Sequence, residues 1–367
     1  MARNSSDFYP GRRKKRSSGP AFVITLIALS LIAFAILLFY GLQKYLVISN
    51  NGLYLDIPFL SESGSRPDDD DIAVGSFETV DAELIIGEPD YTTVAATAGE
   101  GLSPIHCVFV PFESVSEEGI KPYADAAGEG GAVLLDLKTV KGQLAWRSNV
   151  DVAVGYGTSG TLDLAPIISS LHERGISVAA RLCCFVDDAL ASRYAQVTLH
   201  KTDTTSYRDD NGAWLDPTSG VVRRYIAGLC RELSLMGVDE IVLNAMRLPD
   251  SGYEFSFVSG TSVSVTPEVA ISGFAVWLTR NLGSIGARLS VQISSQAAMS
   301  GLDSTTGQDA RLLLKVFDRV YRLSDRASAA SEVSAAAGLI SLGDIKNRYV
   351  PMCYDGAPET DCWALMS

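Results

Sequence analysis

From about Pro104 onward, short apolar runs alternate with runs of helical period. The predicted strands are His106–Val110, Ala132–Leu137, Ser177–Phe185, Val238–Ala245, Arg288–Ile293, Arg319–Leu323, Leu339–Leu342 and Tyr349–Cys353. Between them, residues 114–127, Leu162–Glu173, Val221–Met236, Pro267–Leu282 and Asp325–Ala337 have the spacing of amphipathic helices, and Gly175 and Gly237 close two of these. The run Gln308–Val316 continues the apolar pattern. The strands are apolar throughout rather than at every second position, as a parallel sheet covered on both faces requires. Eight such strands in about 265 residues predict an α/β fold of the (β/α)8 TIM-type barrel class, which typically takes about 250. A doubly wound open sheet is the runner-up, since strand order cannot be read from sequence.

The N-terminus has a different pattern. Ala21–Leu42 is an uncharged, mostly apolar run, long enough as a helix to span a hydrocarbon core of roughly 30 Å. Arg12–Arg16 precede it and only Lys44 follows closely, so the positive-inside rule places the N-terminus in the cytoplasm and the remainder outside. A cleaved signal peptide fits less well, because the run is too long and lacks a small-x-small end. The expected organisation is a basic cytoplasmic tail (1–20), a single transmembrane signal anchor (21–43), an acidic extracellular linker (44–100) and the barrel (101–367). The linker holds Asp68–Asp71 and a Ser/Gly/Pro-rich stretch over 61–67, a composition that keeps a chain extended. Leu53–Leu60 and Glu83–Ile86 have the apolar content of short strands.

The formal charge is −13, and residues 1–20 carry +5, which leaves −18 for the remainder. That balance excludes nucleic acid as the expected partner of the exterior domain. The six cysteines show no Cys-x-x-Cys pair and the chain has three histidines, so neither a metal site nor a cofactor is expected. Gly155-Tyr-Gly-Thr-Ser-Gly160 has dinucleotide-loop spacing, but the next strand offers no acid until Asp187, and an ordinary glycine loop is the expectation.

Carboxylates gather instead where strands end. Asp136 closes one strand, Asp187 and Asp188 follow another, and Asp216 lies in Trp214-Leu-Asp-Pro217. Strand alternation puts Glu240, Val242 and Asn244 on one face, with Arg247 just beyond. In a barrel these C-terminal ends form the active site. Paired acids with exposed aromatics such as Trp146 and Trp214 suit sugar binding and glycosidic cleavage. Structural alternatives stand beside each: an Asp136–Lys138 ion pair, Asp187 capping a helix near Ala189, and Asp216 in a turn.

Together these segments resemble a family of bacterial, membrane-anchored or secreted barrel proteins described as glycoside hydrolases. The best-marked piece is Gly237-Val-Asp-Glu-Ile-Val-Leu-Asn-Ala-Met-Arg-Leu-Pro249, where the family pattern resembles Gly-Phe-Asp-Glu-Ile-Gln-Phe-Asp-Tyr-Val-Arg-Phe-Pro. Leu135-Asp-Leu-Lys138 with Gly142, Ala180–Asp188, Trp214–Pro217 and Gly307-Gln-Asp309 with Phe317-Asp318 also match, so the likeness runs through residues 104–353 in order. Two departures stand out. Asn244 replaces the family's strand-end Asp, and Gln292 occupies the place of an acid on the following strand. An amide supplies neither a nucleophilic carboxylate nor a proton.

The resemblance implies a polysaccharide or oligosaccharide as ligand. It makes Asp136, Asp188 and Asp216 the catalytic candidates, and Lys138, Arg181, Trp214, Glu240, Asn244, Arg247 and Gln292 the substrate-binding ones. The expected function is a membrane-anchored, extracellular, glycoside-hydrolase-like protein acting on or binding polysaccharide. A catalytically degraded sugar-binding or scaffold module is the alternative, and an envelope partner without carbohydrate binding is a third reading.

Overall fold

The computed structural model describes residues 46–49, 52–55, 98–257, 265–283, 285–339 and 345–366. The expected membrane span at 21–43 lies outside these residues. Among the described residues no helix is long and apolar enough to cross a membrane. The chain divides into two units, Met1–Ile85 and Ile86–Ser367. In the first, Leu46–Ser49 pairs antiparallel with Gly52–Leu55.

The second unit is a closed barrel of eight parallel strands: β1 (His106–Val110), β2 (Ala132–Lys138), β3 (Ser177–Cys183), β4 (Glu240–Asn244), β5 (Arg288–Gln292), β6 (Arg319–Leu323), β7 (Tyr349–Cys353) and β8 (Trp363–Leu365). Each strand pairs with its neighbours in the sequence, and β8 pairs with β1 to close the ring. Closure rules out the open sheet. Of the predicted strand Leu339–Leu342, Leu339 is the last residue of a helix, Arg326–Leu339, and residues 340–342 lie outside the described residues; the eighth strand of the barrel is Trp363–Leu365. At three residues, β8 is too short to show a hydrophobic period.

Helices α1 (Lys121–Ala127), α2 (Ala165–Glu173), α3 (Gly220–Leu235), α4 (Pro267–Leu282) and α5 (Ala310–Val316) form much of the outer layer. In α3 the residues Val222, Tyr225, Ile226, Leu229, Cys230 and Leu233 recur at helical spacing and are buried. Full burial of such side chains stabilises by about 1.5–3 kcal/mol each, before the entropy of ordering them. Gly237, at φ 96°, lets the chain turn from α3 toward β4. Helix α4 starts as predicted, with Pro267 in its first turn and Thr266 accepting a bond from the Val269 amide.

Strand alternation divides the buried residues into two cores. Outward-facing residues such as Val133, Leu135, Ile241 and Leu243 pack under the helices. Inward-facing Phe109, Leu134, Ala179, Val242, Tyr321, Val350 and Met352 fill the lumen. The same alternation makes Asp136 follow Leu134 and Asn244 follow Val242, so the lumen ends in a polar layer at its C-terminal mouth.

Gly307 fixes a loop beside that mouth. Its φ is 78°, and a Cβ there would lie 2.3 Å from the Pro267 carbonyl oxygen. Gly307→Ala is therefore expected to lower stability by about 1–3 kcal/mol, measured by urea unfolding, and an unchanged midpoint would show that the α4 start yields.

Candidate active site

The polar layer comes from four adjacent strands: Asp136 on β2, Arg181 on β3, Asn244 on β4 and Gln292 on β5. Arg181 donates to the Asp136 carboxylate at 3.0 Å and to Gln292 Oε1 at 3.4 Å. These side chains line a cavity of about 420 Å³ with Thr139, Asn211, Trp214 and Arg247. A second cavity of about 430 Å³ adjoins it over β5 and β6, lined by Asp250, Ser294, Asp303, Thr306 and Arg322. Asn244, Ala245, Arg247 and Gln292 line both, so the two are lobes of one groove.

The frame of the groove is built from the segments that carried the resemblance. Gln308, fully buried, donates to the backbone carbonyls of Met246 (3.1 Å) and Gln292 (3.0 Å) and accepts from the Ser294 amide at 2.7 Å. One amide side chain therefore ties the ends of β4 and β5 together. Ala245, directly after Asn244, has φ 50°. A non-glycine residue in the left-handed region costs of order 1 kcal/mol, and such strain gathers at functional sites.

On the other wall, Lys138 and Asp187 form a fully buried ion pair at 2.8 Å. Burial disfavours the lysine charge, but the Asp187 carboxylate outweighs it and holds the Lys138 pKa above its ordinary value. Asp187 also caps the short helix Asp188–Arg193 by accepting from the Leu190 amide at 2.8 Å. Gly142 belongs to the same motif for a steric reason: at φ 83°, its Cβ would sit 2.2 Å from Asp187 Oδ1.

Several expected site residues lie elsewhere or are otherwise engaged. Lys138 borders the groove, but its ammonium is committed to Asp187 rather than free for substrate. The expected Asp136–Lys138 ion pair is replaced by Asp136–Arg181 and Lys138–Asp187. Asp188 accepts from the Ala213 amide and pairs with Arg208, both at 2.9 Å, which braces a loop. Asp216 is wholly buried and accepts from the Thr218 amide and hydroxyl, each at 2.7 Å, as in an Asx turn. Glu240 is on the expected inner face but at the opposite, N-terminal end of β4. There it accepts from Ser290 Oγ at 2.6 Å and Tyr321 Oη at 2.9 Å, and it pairs with Arg319. Trp146 is buried, with Nε1 donating to Glu232 at 2.9 Å. Trp214 is buried too, yet it lines the groove beneath Arg247, whose guanidinium is 5.5 Å from the ring centre.

That leaves Asp136 as the groove's candidate acid. Burial raises its pKa above the ordinary carboxylate value, Arg181 opposes that rise, and the negative charge of Glu113 reinforces it. Glu113, in the turn after β1, belongs to no motif and ends no strand, so its influence on Asp136 is legible only in the fold. A carboxyl that binds its proton more tightly in the folded state favours folding at low pH, and that contribution is lost as pH rises through the folded pKa. Buried polar atoms without a hydrogen-bond partner also cluster here: Thr139 Oγ1 and Trp214 Nε1 belong to residues of the first lobe, Thr306 Oγ1 and Arg322 Nε to residues of the second. Such atoms cost free energy in a structure with no use for them, and binding sites are where they are tolerated.

A parallel eight-stranded barrel with a polar groove at the C-terminal strand ends defines the (β/α)8 class. Within it, the chain belongs to the family described as "Putative glycosyl hydrolase domain", which it matches over residues 109–323. The glycoside hydrolase domain of PgaB (BpsB) from Bordetella bronchiseptica is similar in fold, with a TM-score of 0.52 at 12% identity over 72% of this chain and 93% of that one. A hypothetical protein from Ruminiclostridium thermocellum ATCC 27405 is 25% identical over 50% of this chain and 96% of its own, with a TM-score of 0.44. Ega3 from Aspergillus fumigatus, in complex with galactosamine, is 11% identical over 71% of this chain and 82% of its own, with a TM-score of 0.41. No curated protein matches the chain.

Proposed function

We propose that the groove binds a segment of a polysaccharide, and that this chain is a carbohydrate-binding member of a glycosyl hydrolase family. The observation that carries the reading is the polar layer of Asp136, Arg181, Asn244 and Gln292 at the mouth of the barrel. Amides and arginines there hold and orient hydroxyl groups, and Trp214 gives the floor an apolar patch against which a sugar ring packs. The family description and the glycoside hydrolase domain of similar fold support a saccharide over other small ligands. The charge pattern around residues 21–43 supports presentation on the outer face of a membrane, with the N-terminus in the cytoplasm. The full-length protein is expected to bind soluble oligosaccharides in a calorimetric panel, and Asn244→Ala to weaken that binding about tenfold. An affinity unaltered in Asn244→Ala would move the ligand out of this groove.

Hydrolysis is the second reading, favoured by the raised pKa of Asp136. A general acid must hold its proton until the leaving oxygen takes it, and burial moves Asp136 in that direction while Arg181 opposes it. Asn244 and Gln292 cannot act as nucleophile, so that role falls to a group on the substrate. Turnover, where present, is expected to decline as pH rises through the Asp136 pKa and to be abolished in Asp136→Asn. Turnover retained in that variant excludes Asp136 as the acid.

A further inference from the structure

Charge is unevenly arranged around the groove. The carboxylate of the first lobe, Asp136, enters from β2 on one side. The guanidinium groups enter from β3 (Arg181), from the segment after β4 (Arg247) and from β6 (Arg322). Arg181 is spent on Asp136, and Arg322 on Glu332 at 2.8 Å. Arg247 differs. It lines both lobes, is partly exposed, and forms no ion pair among the described residues; its hydrogen bond goes to the neighbouring Leu248 carbonyl at 3.1 Å.

The strand ends beside Arg247 add no negative charge, because they carry Asn244 and Gln292. Gln292 uses its oxygen on Arg181 Nε, which leaves its amide nitrogen to donate. The other acids of the second lobe are Asp303, which takes the Ser294 hydroxyl at 2.6 Å and the Thr306 amide at 3.2 Å, and the exposed Asp250. In a chain with a formal charge of −13, a groove cation without a carboxylate partner is conspicuous. A guanidinium presents a planar fork of donors that matches the oxygens of a carboxylate or phosphate, and amide nitrogens extend the same donor surface.

We infer that the groove takes an acidic saccharide, with a carboxylate- or phosphate-bearing unit of the chain seated against Arg247 at the junction of the two lobes. The inference rests on the saccharide-binding reading above and names its substrate class. It also gives the amides at 244 and 292 a positive role, since carboxylates at those places would repel the ligand's charge.

The test uses the full-length protein and three probes of similar length: a galacturonic acid oligomer, a neutral galactose oligomer and a phosphate-substituted mannose oligomer. At least one acidic probe is expected to bind about tenfold more tightly than the neutral one at low salt, and the gap is expected to close as salt rises. Whichever acidic probe binds identifies the oxyanion. Arg247→Gln is expected to lose about tenfold for the acidic probe and little for the neutral one. Because Arg247 also covers Trp214, Asn244→Asp is the companion variant: it leaves Arg247 in place and is expected to weaken the acidic probes by a larger factor than the neutral one. Equal or tighter binding of the neutral oligomer overturns the acidic assignment while leaving saccharide binding intact. No binding of any probe overturns both.

Discussion

Asp187→Ala is expected to destabilise the barrel by about 3–5 kcal/mol at pH 7, because it strands Lys138 as an unpaired buried charge. Both side chains are essentially inaccessible, so water cannot take the place of the lost partner. The lysine then loses its proton on folding. From an ordinary pKa near 10.4, that costs up to about 4–5 kcal/mol at pH 7. Loss of the cap on Leu190 adds about 1 kcal/mol. The variant also acquires a pH dependence with a definite sign. Its unfolded state binds one more proton than its folded state, so stability climbs by about 1.4 kcal/mol per pH unit toward pH 10. The parent shows no such slope from this group, because its folded lysine holds the proton more tightly than the unfolded one. Urea unfolding at several pH values tests this, and Lys138→Met with Asp187→Asn is expected to recover most of the loss by removing both charges and keeping a cap. A flat pH profile in Asp187→Ala would falsify the stranded-charge account.

Glu240→Ala is expected to cost a similar amount, about 3–5 kcal/mol, at the other end of the barrel. Glu240 joins three strands at once, since Ser290 lies on β5 and both Arg319 and Tyr321 on β6. Its removal leaves the Arg319 charge and two hydroxyls without their acceptor in a dry interior. Burial and the Glu240 charge together hold the Tyr321 phenol well above its ordinary pKa, so the tyrosine is the fixed donor in this network. Saccharide affinity, measured where the variant remains folded, is expected to be unchanged, because the groove is at the opposite strand ends. A variant that kept its stability but lost saccharide binding would reverse the separation of roles made here.

The sequence made the strands up to β7 legible wherever continuous apolar runs met a glycine or a capping residue, apart from the strand predicted to begin at Leu339, which ends a helix instead. It could not reveal β8, whose three residues are placed by pairing with β7 on one side and β1 on the other. In the site, periodicity identified faces but not depth. Glu240 and Asn244 share the inner face, yet they sit at opposite ends of one strand. Asp136 and Lys138 share a parity as well, but the pairing register with β3 is irregular between them, and Lys138 finds Asp187 instead. Asp188 and Asp216 follow strands and resemble catalytic acids on that ground alone. Which loop backbone each carboxylate binds is set by tertiary closure, which no local pattern encodes.

Closure of the ring by β8 has a consequence for how the molecule is made. Strand β1 receives one of its two neighbours from residues some 250 positions later in the chain. During synthesis, or during passage through a membrane if the domain is exported, β1 through β7 emerge as a curved sheet with two open edges. Those edges can be sealed only when Trp363–Leu365 arrive, with Trp363 stacking on His106 at 4.8 Å. Until then the emerging chain exposes unpaired backbone of the kind chaperones recognise. A ribosome stalled before Trp363 would hold nearly all of the fold's mass and none of its topological closure.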